Sequence, residues 1–404
     1  MALWRSLRLS NRYISQHVLL LLRFYRAQFY YLGLMRIRYE ECRKEMRLTY
    51  YSVTVSRIIG LWFGFFFTLA LLEPYSLMLH LQLVGFTCCL LIQPRGVVEE
   101  RTRLLNRILH LSPQLYRLCR RKMHLSWSLV FQLLVKFLTF RMFYEGLLGH
   151  RAASWKMMYI VLFVVPISFA IWVMDVTSHL IGIVLSLLLK SFEMVNTEMT
   201  AIDERLCLEI LRSDYQAVRR LQRRLASLQL LHRSYVKVTH QLIKCLSPQL
   251  ILIVLYDLST IYTFSSGEWR RILQIGVLVN NLKGLLHTLD ELVATSGAPQ
   301  DTSWMHVAHL LHFEEVLATH GWLGRKDFRW KVQDIDSFGQ SVRRCCFQPS
   351  LLVLGLVTPN RRLLFRLTFA FCSLLHLHFM WKKSALVVEK EIFIGSEISL
   401  KPKN

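Results

Sequence analysis

Apolar residues in this chain gather in long uninterrupted runs, and polar, mostly basic stretches fill the gaps between them. A hydrocarbon layer about 30 Å thick needs about 20 apolar helical residues to cross it. Runs at 51–72, 75–93, 127–147, 157–189 and 249–264, with a terminal one over 351–381, come near or exceed that length. The pattern therefore predicts an all-α protein whose helices form a transmembrane bundle. Glu73-Pro74 leaves so little chain between the first two runs that they must form an antiparallel hairpin. Arg57 lies close enough to the end of its run to snorkel to the surface. Pro166 removes a backbone donor inside the fourth run, which predicts a kink there.

Two segments break the simple pattern. The stretch 272–293 has the length of a span but contains Asn280, Asn281, Lys283, Asp290 and Glu291. Polar groups at depth turn toward protein or water rather than lipid, so this helix either lines a cavity or is not a span. The connector 190–248 is long and polar. Within it Arg219, Arg220, Arg223 and Arg224 recur at helical spacing beside Leu221, Leu225, Leu228 and Leu230. That is an amphipathic helix with a basic face, and it predicts cytoplasmic prolongations of spans four and five. A calmodulin-binding or lipid-surface role is the functional alternative for the same residues.

Composition supports this picture. Hydrophobic residues make up 53% of the 404 positions, above the roughly 45–50% of soluble domains. The formal charge of +23 is spread between the apolar runs rather than held on one face, and no nucleic-acid-binding signature accompanies it. With seven spans and a cytoplasmic amino terminus, 34 of the 50 Lys and Arg fall on cytoplasmic segments and nine outside, as the positive-inside rule requires. Removing the polar sixth span leaves a similar imbalance. Charge thus orients the amino terminus without fixing the span count. The nine cysteines form no CxxC pair, and no Asn-x-Ser/Thr sequon occurs. His306, His309, His312 and Glu315 drift around a helix surface instead of converging on a metal. No phosphate-cradling or nucleophile motif is present, so neither an enzyme nor a cofactor is expected.

Near the carboxyl terminus the run Gly355-Leu356-Val357-Thr358-Pro359-Asn360-Arg361-Arg362-Leu363-Leu364-Phe365 resembles the segment that introduces the last helix of insect gustatory receptors. In that family a Thr-Tyr pair, five apolar residues and a Gln-Phe pair usually follow. Two registers compete here. Thr368-Phe369 matches the start but places Leu375-His376 at the end, whereas Phe371-Cys372 matches the start less well and places His378-Phe379 at the end. The second keeps a polar–aromatic pair where the family has one, and is favoured.

The resemblance implies seven spans, with 363–381 as the last. It implies a cytoplasmic segment over 1–50 and an extracellular tail over 382–404. It further implies a ligand-gated cation channel in the plasma membrane of gustatory receptor neurons. Such a channel assembles as a homo- or hetero-tetramer with other gustatory receptor subunits and answers to a small-molecule tastant. The entry motif is then Gly355, Asn360, Arg361, Arg362 and Phe365, and the pore and gate are Phe371, Cys372, Leu374, Leu375, Leu377, His378 and Phe379. A dry leucine ring with a polar neighbour suits a dewetting gate. An imidazole titrating near pH ~6.5 would add up to four positive charges in a tetramer on acidification, which predicts a smaller cation current. Arg361, Arg362 and Arg366 point away from the axis or pair with Asp334 and Asp336, since basic rings favour anions. Asn280, Asn281 and His287 are the candidate ligand contacts, with interhelical hydrogen bonding as the structural alternative. The competing functional classes are a G-protein-coupled receptor, which the missing Asp-Arg-Tyr and Asn-Pro-x-x-Tyr motifs disfavour, and a transporter, for which no internal repeat is found.

Overall fold

In a computed structural model, the described residues are 15–31, 37–40, 45–48, 94–125, 165–212, 215–265 and 270–297, with isolated positions between 57 and 60, 127 and 135, and 366 and 373. Five helices dominate them: α1 (Gln16–Tyr31), α2 (Arg95–Cys119), α3 (Val165–Leu211), α4 (Tyr215–Ser265) and α5 (Arg270–Gly297). A short antiparallel ribbon of β1 (Ile37–Glu40) and β2 (Glu45–Leu48) pairs Ile37 with Leu48 and Glu40 with Glu45. The ribbon departs from the purely helical expectation. Its strands of four residues and its turn without Gly or Asn carry little period-two signal.

Helices α3 and α4 contain 47 and 51 residues. At 1.5 Å per residue they reach about 70 and 76 Å, more than twice a bilayer core. Both are long and apolar enough to cross a membrane, and among the described residues no other helix is. The surplus length is the prolongation that 190–248 predicts. Pro166 stands in the first turn of the described part of α3, so the kink expected there falls at the edge of the described residues, while Pro113 and Pro248 lie inside α2 and α4. Serines and threonines along these helices donate to carbonyls four residues back: Thr177 to Val173, Ser191 to Leu187, Thr197 to Glu193 and Ser234 to Leu230. Each hydroxyl is thereby satisfied within its own helix, whatever surrounds it.

Cross-helix contacts fix the packing. The Val97 carbonyl meets the Cys245 thiol at 3.7 Å, and the Leu118 carbonyl meets the Arg224 guanidinium at 2.6 Å. The two contacts are equally far apart in sequence on both helices, so α2 and α4 run antiparallel without slippage. On α3, Phe192 stacks edge-on with His232 and Tyr235 of α4, at 5.3 and 6.0 Å between ring centroids, and Glu198 pairs with Arg224 at 2.6 Å. Hence α3 and α4 are antiparallel as well. Helix α5 closes the group: Asn196 donates to the Thr295 carbonyl at 2.8 Å.

The register also sets a common level. Pro94, which precedes α2, stands beside Pro248, one residue before the apolar run of α4 begins. Carried onto α3, the same level falls near the turn 175–179. Everything beyond it, namely α2, the carboxyl half of α3, the amino half of α4 and the end of α5, is one four-helix assembly. Leu104, Leu115, Leu188, Phe192, Leu228 and Tyr235 form its interior. Helix α1 docks at the level itself, where the Tyr25 hydroxyl meets Nδ1 of His179 at 2.6 Å.

Candidate functional site

Beneath the apolar halves of α3 and α4 the interior of the bundle holds polar groups set against neighbouring helices, and Arg224 ties three of those helices together. Tyr235 is fully buried and its hydroxyl lies against Ser112 of α2 and Ser191 of α3. His232, also fully buried, faces the backbone of Ser296 at the end of α5. Burial drives its imidazole down to about 4, with Arg233 adding to the effect and the Ser296 contact opposing it. It is therefore neutral at pH 7. Arg224 turns inward, pairs with Glu198 and donates to the Leu118 carbonyl at the end of α2. That carbonyl is one of the terminal acceptors a helix leaves open, and a cation there also meets the negative end of the helix dipole.

Beside it, Cys119 lies 3.7 Å from the Met194 carbonyl. Burial, reinforced by Glu198, pushes its thiol up to about 12. That makes it a packing group and not a nucleophile. Arg101 in α2 is lowered from its ordinary value by burial, and Cys245 opposes the shift.

These ties decide how the arginine run of α4 is used. Leu225 and Leu228 are buried in the bundle and Leu221 is half-buried, so most of the apolar face is already covered, while Leu230 is exposed. A groove-binding partner such as calmodulin takes just such a face and would have to unfold the assembly to reach it. Arg219, Arg220 and Arg223 point outward while Arg224 points inward, a division the spacing alone does not reveal.

Of the other residues singled out in the sequence, Asn280 and His287 lie on an exposed face of α5, where His287 pairs with Glu291 at 3.1 Å. Asn281 belongs to the same helix, but its side chain is outside the described residues. The entry motif Gly355, Asn360, Arg361, Arg362 and Phe365 also lies outside them, as do Phe371, Cys372, Leu374, Leu375, Leu377, His378, Phe379 and the His306–Glu315 group. Three positions of the last apolar run are described. Arg366, Phe369 and Ser373 are helical and exposed at spacings of three and four, and Ser373 donates to the Phe369 carbonyl.

One residue had no motif to announce it. Asp257 is buried within the apolar half of α4, eight residues past Gln249. An acid enclosed at that depth is a marker of function in membrane helices. The signal was available as a lone acid in an apolar run.

No protein-family model matches the chain, and none of the curated proteins does. Among solved structures the insect olfactory receptor OR5 from Machilis hrabei, in complex with eugenol, is similar with a TM-score of 0.45 and 11% identity. The match covers 88% of this chain and 97% of that one. Eugenol binding is a property of that receptor.

Proposed function

We propose that the chain is a chemosensory receptor subunit of the insect gustatory type, a ligand-gated cation channel opened by a small-molecule tastant. The observation that carries the reading is the architecture of α3 and α4. Two helices with apolar halves suited to a bilayer continue, unbroken and antiparallel, into a polar-tied bundle about as tall again. In a channel whose pore takes one helix from each of four subunits, contacts away from the pore hold the subunits in register, and a body of this kind is suited to that task; the run Gly355–Phe365 supplies the resemblance for the pore helix. In this reading the protein spans the plasma membrane of a gustatory neuron seven times with its tail outside. It works as a homo- or hetero-tetramer and has no catalytic role.

An epitope tag after Asn404, probed on intact cells, tests the topology. Labelling without permeabilisation is expected, and labelling only after permeabilisation would overturn the seven-span reading in favour of a G-protein-coupled layout. Heterologous expression with a tastant panel under voltage clamp then tests the channel itself. In the same recordings, current should fall between pH 8 and pH 5.5. His378→Gln should flatten that dependence, and identical profiles would remove His378 from the pore.

A further inference from the structure

The end of the bundle farthest from the apolar halves gathers positive charge that the sequence keeps in two separate places. The antiparallel register of α2 and α4 sets residues 117–122 level with 220–225. Arg117, Arg120, Arg121 and Lys122 on one helix end and Arg219, Arg220 and Arg223 on the other are all exposed. Among the described residues none has an acidic partner. Arg220 reaches only the Gln216 carbonyl of its own helix. The acids of α3 at this level are Glu198, which holds Arg224, the buried Asp203, and Glu204, which is exposed; Glu209 holds Arg212 farther along. The scaffold beneath is fixed. Arg224 anchors the end of α2, Met123 is buried, and the Met123 carbonyl accepts from the Ser15 backbone at 2.9 Å.

Seven cations held together repel one another, and a bound polyanion relieves that repulsion. The shape of the patch selects the polyanion. Along α4 the exposed positions after Arg223 are Ala226, Ser227 and Leu230, and positive charge resumes only at Arg233. The cluster is therefore about one helical turn deep and two helices wide, too compact to track an extended acidic segment. It also lies about 40 Å along α4 from Pro248, several Debye lengths from any bilayer surface. Arginine forks match phosphate oxygens in pairs.

We propose that this patch binds a compact soluble polyphosphate, such as a multiply phosphorylated inositol or a nucleoside triphosphate. The inference stands apart from the channel reading, because its test measures binding and not current.

The experiment uses the full chain in nanodiscs of neutral lipid, titrated calorimetrically with inositol hexakisphosphate, ATP, a phosphoinositide-containing vesicle and a poly-glutamate peptide. Saturable binding of a soluble polyphosphate, weakening steeply with salt, is expected. Arg219→Gln/Arg220→Gln/Arg223→Gln should weaken it at least tenfold, and Arg117→Gln/Arg121→Gln should do the same. Arg233→Gln/Lys237→Gln, equally basic and equally exposed on α4, should leave it within twofold. All these side chains are exposed, so unchanged melting of the ligand-free variants serves as the folding control. Equal losses in all three variants, tighter binding of vesicles or poly-glutamate than of either polyphosphate, or no saturable binding would each overturn the proposal.

Discussion

The two halves of α4 solve the problem of burying polar atoms in opposite ways. From Tyr215 to Pro248 the helix has seven Lys or Arg and no acid, and its buried polar groups reach across to α2, α3 and α5. From Gln249 onward it is mostly apolar, and Asp257 is its one charged residue. Helix α3 divides likewise. Hydroxyls serve their own carbonyl ladder at the boundary and below it, as Thr177 and Ser191 do, while Asn196 and Glu198, below it, bond to other helices. The side chains that cross between helices, not the hydroxyls, mark the difference. In water an interhelical polar tie competes with hydration and gains mainly specificity. Beside lipid an unpartnered polar side chain is costly, so packing carries more of the helix association there.

That contrast can be broken most sharply at Tyr235. Replacing this fully buried ring with Ala empties the centre of the polar-tied half, at an expected cost of about 3–5 kcal/mol. Thermal unfolding of the purified protein would measure it, and a change below about 1 kcal/mol would show that the half is not closely packed.

Acid should act next. The His232 imidazole sits at about 4 in the fold, below its ordinary 6.5, so the unfolded chain binds the proton more readily. Stability is then complete above pH ~6.5 and declines as pH falls toward 4, by up to about 3 kcal/mol. His232→Phe keeps the ring contact with Phe192 and should remove most of that slope in a melting series from pH 7.5 to 4.5.

A smaller loss, about 2 kcal/mol, is expected for Arg224→Ala, which strands Glu198 and the Leu118 carbonyl. The smallest belongs to the other half: Thr177→Val removes only a local hydroxyl bond and should shift stability by less than about 1 kcal/mol. If Thr177→Val cost as much as Arg224→Ala, the distinction between the halves would fail.

How much of this was visible in the sequence depended on range. The prolonged α3 and α4 were legible because their apolar and amphipathic periods run for many turns, and the basic face of α4 stood out at Arg219–Arg224. The division of that face was not, because Arg223 and Arg224 are neighbours in sequence and only the position of Glu198 on another helix separates their fates. Likewise the basic gap between the apolar runs 75–93 and 127–147 lacks the length of apolar residues that marks a span, and its becoming α2 depends on a stripe of Leu104, Ile108, Leu111 and Leu115 finding α4 to cover it. Pro113 inside that stripe further masks the helix. The Tyr235 and His232 ties join residues far apart in the chain, and no local spacing encodes them.

Because α4 passes without interruption from its apolar half to the foot of the bundle, its two ends are rigidly coupled over about 40 Å below Pro248. A tilt of 10° imposed at the level of Pro248 would displace the distal arginines by roughly 7 Å. The ties to α2 and α3 would have to move with it, so any such tilt belongs to the bundle as a body.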